Sequence, residues 1–196
     1  MNKSIELMQS QIKALENGAT MLIFHVELSD YQNIMGNTED DIENIYINNG
    51  VLHIYFKDDY RQISKIPLQK GDKDVFVKEE FEKTGDLLIP IVYRADGFSV
   101  SCFPNWQPAS QMTKEQSRFS LDCIDVRVLR VQDINFKEKE ELTLCNDYSK
   151  IIDIDEHYEG VKWLFEEKYN KQLKEQNINK TYEDNDYIFL CEVKVK

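Results

Sequence analysis

Behind Ser4, the apolar residues Ile5, Met8, Ile12 and Leu15 recur every three or four positions, which predicts a short helix capped by that serine and stopped at Asn17-Gly18. Met21 to Leu28 follows as an apolar, strand-like run, and the acidic, polar stretch from Gly36 to Glu43 reads as a loop. Two β-rich runs between Ile45 and Phe56 flank Asn49-Gly50, a dipeptide that accepts the positive φ angles of a tight turn, so a hairpin is expected. Pro67 lacks the N–H that a central strand needs. Pairing should lapse there, and Lys70-Gly71-Asp72 is a turn signal ahead of a strand from Val75 to Glu79. Ile89 to Arg94 is the next expected strand.

From Ala95 to Gln116, Gly97, Pro104 and Pro108 interrupt any periodicity, which predicts a long loop carrying Trp106. Phe119, Leu121 and Cys123 then alternate, and Ile124, Val126 and Val128 alternate in the opposite phase. Side chains change face at every residue of a strand, so the slip predicts a β-bulge or a change of partner near Cys123-Ile124. Phe136 to Leu144 suits a charged helix, and Val161, Leu164, Phe165, Tyr169 and Leu173 form the apolar stripe of a longer one. Tyr187, Phe189, Cys191, Val193 and Val195 line one face of a closing strand. The pattern is α+β, with bent strands that suit a small barrel.

Composition sets limits on this picture. At 196 residues, with 41% hydrophobic and 11% aromatic content, the chain has enough apolar surface for one core and is short for two, so residues 1–196 read as a single domain. No apolar run approaches the roughly 18 residues of a membrane span. The segment MNKSIELMQSQ lacks the basic-then-apolar order of a signal peptide, and a cytoplasmic location is expected. Cys102, Cys123, Cys145 and Cys191 include no C-x-x-C pair and are expected to be buried thiols. His25, His53 and His157 have no metal-ligand spacing, so neither metal nor cofactor is expected.

The net charge of −12 argues against a protein that coats nucleic acid indiscriminately, because that affinity comes from Lys and Arg neutralising phosphates. The charge is uneven. Residues 1–60 carry 3 basic against 10 acidic groups, residues 61–132 carry 11 against 10, and residues 133–196 carry 10 against 16. All five arginines, Arg61, Arg94, Arg118, Arg127 and Arg130, fall in the middle segment, where forked donors would serve a phosphate or a nucleobase or pair with acidic neighbours.

Six ordered landmarks lie in that segment: Gly71-Asp72, Lys78-Glu79, Tyr93-Arg94-Ala95-Asp96, Trp106-Gln107-Pro108-Ala109-Ser110-Gln111-Met112, Ser117-Arg118 and Val131-Gln132-Asp133-Ile134. In this order they resemble the ASCH-like proteins of phages and prophages, members of the PUA-like group. Trp163 on a helix and the final strand extend the similarity over roughly the last two-thirds of the chain. The resemblance implies a small PUA-like mixed β-barrel with flanking helices. Residues 1–60 would be a divergent N-terminal helix and strands, residues 61–134 the best-matching barrel segment, and residues 135–196 helices and the final strand.

The group is associated with binding RNA or modified bases, and some compact members are similar to amidohydrolases that deacylate acetylated cytidine with a Lys and a Thr in a G-x-K-T-type motif and a later Glu. Here Ile12 to Gly18 resembles the helix leading to that motif, but Ala19-Thr20-Met21-Leu22 follows, and no Lys or Arg occurs between Gly18 and Tyr55. Glu140 or Glu141 lies near the family's acid. For that chemistry the candidates are Thr20, Lys78, Glu79 and Glu141.

For binding, the candidates are Tyr93, Arg94, Asp96, Trp106, Ser117 and Arg118. Trp106 and Tyr93 offer faces for base stacking or pack as a barrel lid. Arg94 and Asp96, two apart, share a face of an extended chain and offer one donor fork and one acceptor, or pair with each other. Ser117 and Arg118 follow Thr113 to Gln116, a single helical turn whose free N–H groups suit an anion, or else they anchor the loop. Lys78 and Glu79 point to opposite faces of one strand, and a Glu facing an apolar barrel would have a raised pKa. The expected function is a binding module for RNA, a nucleotide or a modified base in a barrel cleft. The alternatives are a nucleoside amidohydrolase and an acidic phage-derived domain that engages a basic protein partner.

Overall fold

The computed structural model describes residues 3–26, 28, 41–57, 59–63, 66–97, 105–144 and 154–196. Ser4 does not cap a helix: Ser4–Glu6 is a short strand, β1, and α1 (Gln9–Glu16) begins only after Met8, whose N–H donates to Gln11 Oε1 at 3.0 Å. The first apolar residue of the expected stripe has a better partner than its own helix. Ile5 is buried opposite Val77 in a parallel pairing, while Ile12 and Leu15 are buried from α1. The helix stops as its sequence indicates, at Asn17 and at Gly18 with φ of 87°.

Met21–His25 forms β2. Asn49 and Gly50, with φ of 49° and 73°, join β3 (Ile42–Asn48) to β4 (Val51–Phe56), and β5 (Asp59–Ile63) completes an antiparallel three-stranded meander. Gly71, with φ of 88°, turns the chain before β6 (Val75–Lys78). A small hairpin follows, β7 (Phe81–Lys83) and β8 (Ile91–Tyr93). β8 is shorter than Ile89 to Arg94 because Leu87 to Ile89 form an exposed tip and Arg94–Asp96 winds into a 3₁₀ turn. The remaining elements are β9 (Ser120–Arg130), α2 (Phe136–Leu144), α3 (Ile154–Glu175) and β10 (Tyr187–Val195). The phase slip in β9 is a bulge. Glu192 opposes Asp125 and Val193 opposes Cys123, so Ile124 is the extra residue, and its side chain is exposed.

The main sheet has the order β1-β6-β9-β10-β2. Its strand β10 was expected to have one apolar face, yet both faces are buried. Phe189, Cys191 and Val193 meet a core that includes Leu52, Ile54 and Phe56 of the meander and Ile12 of α1. Ile188 and Leu190 meet a second core built on Phe165, Tyr169 and Leu173 of α3. The chain is thus a sheet sandwiched between a meander and a helical layer, each buried aliphatic or aromatic side chain contributing about 1.5–3 kcal/mol. The strands form three hydrogen-bonded sheets, and no closed barrel occurs among the described residues. No described helix is long and apolar enough to cross a membrane. Residues 36–40 of the expected acidic loop, residues 98–104 of the long loop, Cys102 and Cys145 lie outside the described residues.

Candidate functional site

The site begins where β6 runs out against the start of β9. Val75 and Phe76 pair with Leu121 and Ser120, and Val77 N–H donates to the Phe119 carbonyl at 3.0 Å. Continuing this antiparallel register brings Glu79, just past β6, beside Ser117 and Arg118. The Ser117 hydroxyl lies 2.6 Å from the Val77 carbonyl oxygen and 2.8 Å from that of Phe119, which pins the approach. Alternation along β6 turns Lys78 outward, where its ammonium donates to the Ser110 carbonyl at 3.1 Å, and Glu79 inward, where it is 3% exposed.

Arg118 meets Glu79 with two parallel donors, Nε to Oε1 at 2.8 Å and Nη2 to Oε2 at 2.9 Å. Its Nη1 reaches Asp96 Oδ1 at 2.7 Å and Glu16 Oε1 at 2.8 Å. The guanidinium lies over the Tyr93 ring, 4.4 Å from its centroid, and Tyr93 in turn donates its hydroxyl proton to the Gln116 carbonyl at 2.7 Å. One arginine therefore ties together α1, β6, the 3₁₀ turn at Arg94–Asp96 and β8.

Burial pushes the Glu79 carboxyl above the ordinary carboxylate range, offset in part by the hydrogen bonds and charge of Arg118. Burial works against the Arg118 charge as well, but its bonds to Glu79 and Asp96 outweigh it and hold the guanidinium above its ordinary value. Burial, with the nearby Glu79 charge, also raises the Tyr93 phenol. At neutral pH the arginine is a fixed cation and Tyr93 a neutral phenol.

Beside this network opens a cleft of about 540 Å³, lined by Glu6, Gln9, Glu79, Glu80, Arg94 and Ser110 among others. At its mouth Arg94 Nη1 donates to Glu80 Oε2 at 2.5 Å, both side chains about two-fifths exposed. The cleft thus presents one buried carboxylate, one accessible ion pair and the chain near Ser110: several acceptors and a single guanidinium. It is suited to a ligand rich in hydrogen-bond donors.

Of the residues singled out in the sequence, Tyr93, Asp96, Ser117 and Arg118 gather around Glu79, and Arg94 lines the cleft. Arg94 and Asp96 lie in a 3₁₀ turn rather than an extended chain, so they diverge, one to Glu80 and the other to Arg118. Trp106 is half-buried next to the Gln107–Phe81 bridge and does not line the cleft. The four candidates for catalysis divide between two places. Thr20 is exposed and its hydroxyl donates to the Glu141 carboxylate, whereas Lys78 and Glu79 are three strands away across the main sheet, roughly 14 Å at the usual strand spacing.

Glu80 has no sequence signal of its own, and Glu16 and Ser110, though they lie in stretches that carry the resemblance, join the site only through tertiary packing. An array of Tyr46, His53, Tyr55 and Tyr60 on the outer face of the meander is different. Its rings follow one another at 5.1, 5.9, 4.6 and 6.0 Å around a closed square, and counting outward from the Asn49-Gly50 turn would have placed Tyr46 opposite His53. No protein-family model matches the chain, and searches of curated proteins and of solved structures found no match.

Proposed function

We propose that this chain is an ASCH-like, PUA-like binding module that recognises a nucleoside, a modified base or a nucleotide of RNA in the cleft beside Glu79. The barrel-like character of the fold belongs to the same proposal: the main sheet and the meander wrap one shared core without closing. The observation that carries the reading is the Glu79 carboxylate, 3% exposed yet fixed by the Arg118 fork at the wall of a 540 Å³ cleft. A carboxylate has about four lone-pair directions and Arg118 takes two from Glu79, while Glu6 and the more accessible Glu80 line the same cleft, so amino and imino groups of a base edge meet acceptors there. Arg94 at the mouth supplies the complementary donors. The volume lies in the range of small-ligand sites, about 300–1,000 Å³.

Calorimetric titration of the full chain with adenosine, cytidine, guanosine, uridine and acetylated cytidine tests this. Bases with exocyclic amino groups should bind more tightly than uridine, and Arg94→Ala should weaken binding about tenfold, the equivalent of one charged hydrogen bond. Absence of binding by every nucleoside at millimolar concentration would overturn the proposal.

One observation favours a second reading, amidohydrolysis: the hydrogen bond between the exposed Thr20 hydroxyl and Glu141 pairs a nucleophile with a carboxylate base. Release of acetate from acetylated cytidine, abolished by Thr20→Ala, would replace the binding module with an enzyme.

A further inference from the structure

Two features that the cleft beside Glu79 does not use fit each other. The first is the tip of the β7–β8 hairpin, where Leu87 is 97% exposed, Leu88 90% and Ile89 58%. Single exposed leucines are ordinary, but three consecutive aliphatic residues at a tip, in a chain that is 31% charged, form an apolar knob. The knob is held in shape. Thr84 N–H donates to the Pro90 carbonyl at 3.1 Å, Asp86 N–H to the Thr84 hydroxyl oxygen at 3.0 Å and Leu88 N–H to Asp86 Oδ1 at 2.7 Å. Docking therefore has little backbone left to order.

The second feature is a cavity of about 290 Å³ between α1 and α3. Buried Leu22, Ile23 and Phe165 and half-buried Ala14, Met21 and Leu142 line it, and polar side chains of the two helices complete the wall. An apolar cavity of about 150 Å³ accepts a benzene-sized ring, so this one has room for two leucine side chains. Leu87 and Leu88 do not fill the cavity of their own chain. β8 leads from the tip to Arg94 and Ala95, which line that cavity, so the tip lies at the far end of the hairpin from it.

We propose that the Leu87-Leu88 tip docks in the α1–α3 cavity of a second copy of this chain. The contact is heterologous, knob of one copy in the hole of the other, and it takes leucine and cavity surface out of water together. A second copy is the occupant because one chain carries both complementary surfaces and neither is satisfied within it. The net charge of −12 gives the contact a signature: like-charged copies repel, and salt screens that repulsion, so association tightens as salt is added, the reverse of an interface built on ion pairs. None of this depends on what the cleft beside Glu79 binds.

The test is sedimentation velocity of the full chain from micromolar to near-millimolar concentration, at low and at high salt. The parent should show a concentration-dependent rise in mass that grows with salt. Leu87→Ser/Leu88→Ser at the tip and Ala14→Glu at the cavity wall should each weaken association at least about tenfold while keeping the parent's circular dichroism spectrum. An equimolar mixture of these two variants should associate again, because one retains an intact cavity and the other an intact tip. Diluting the ¹⁵N-labelled parent should shift the amides of Leu87 and Leu88 together with those of Ala14, Met21 and Leu142, a readout that does not need Ala14→Glu to fold. A chain that stays monomeric throughout would overturn the proposal, as would a dilution series that moves the tip amides but not the cavity amides. A mixture of the two folded variants that remains monomeric would overturn it as well.

Discussion

Replacing Arg118 with alanine should be the most damaging single change at the site. The substitution removes two bonds to Glu79, at 2.8 and 2.9 Å, together with those to Asp96 and Glu16 and the stack on Tyr93. Asp96 and Glu16 are near enough to water to be resolvated, but Glu79 is 3% exposed and would remain as an uncompensated buried carboxylate. Breaking a buried pair in this way costs about 3–5 kcal/mol, and because Arg118 is itself 23% exposed the lower end, about 3 kcal/mol, is expected at pH 7. For a chain of this size that corresponds to roughly 6–12 °C in Tm. Glu79 adds a pH signature. Its folded pKa lies above the ordinary 4.5, so its stabilising protonation is fully present below 4.5 and lost as pH rises through the folded value. Without Arg118 that value rises further, so the cost of Arg118→Ala should be smaller at pH 4.5 than at pH 7. Urea unfolding followed by circular dichroism measures both, and in a double-mutant cycle with Glu79→Gln the coupling should be about 2 kcal/mol. A cost below about 1 kcal/mol at pH 7, or one that is equal at the two pH values, would refute the claim that Arg118 compensates a buried charge.

Three further outcomes can be checked alongside. Gly50→Ala forces a Cβ onto a residue with φ of 73° and within 2.7 Å of the Gln69 side chain, so it should cost about 1 kcal/mol or more by the same urea assay, with Gly50→Asn milder. Leu87→Ser/Leu88→Ser should change stability by less than about 0.5 kcal/mol, because these side chains are 97% and 90% exposed at a hairpin tip held by Thr84 and Asp86. Burial pushes the Cys123 thiol up to about 11 and raises Cys191 further, so peptide-mapped alkylation at pH 8 should label both only after unfolding.

Local patterns read well where one interaction decides the geometry. The Asn49-Gly50 hairpin follows from φ preference, and the bulge at Ile124 follows from alternation that changes phase between Cys123 and Ile124. Reading failed where tertiary partners overrule local spacing. Ser4 and Ile5 fit a helix stripe, but the open edge of β6 offers Ile5 a parallel strand pairing and a buried site. The alternation of Tyr187 to Val195 implied one apolar face because α3, which covers Ile188 and Leu190, arrives from elsewhere in the chain. At the site, Tyr93, Arg94, Asp96, Trp106, Ser117 and Arg118 stand out in the sequence as candidates, but Trp106 lies away from the cleft and Arg94 turns to Glu80, leaving Tyr93, Asp96, Ser117 and Arg118 together. Their convergence on Glu79 was not legible, since it depends on the register of β6 against β9. Glu16 and Glu80 are ordinary surface-type acids in sequence, and only the packing of α1 and the entry to β7 bring them to Arg118 and Arg94.

Whether the cleft beside Glu79 takes a nucleoside is read from an amide chemical-shift map of the ¹⁵N-labelled chain titrated with cytidine and adenosine. Saturable shifts should concentrate at Glu6 to Gln9, Ile12, Glu79-Glu80, Arg94-Ala95 and Ala109-Ser110, which border the 540 Å³ cleft. No saturable shifts at millimolar nucleoside, or shifts confined to the outer face of the meander around Tyr46, His53, Tyr55 and Tyr60, would contradict the nucleoside reading.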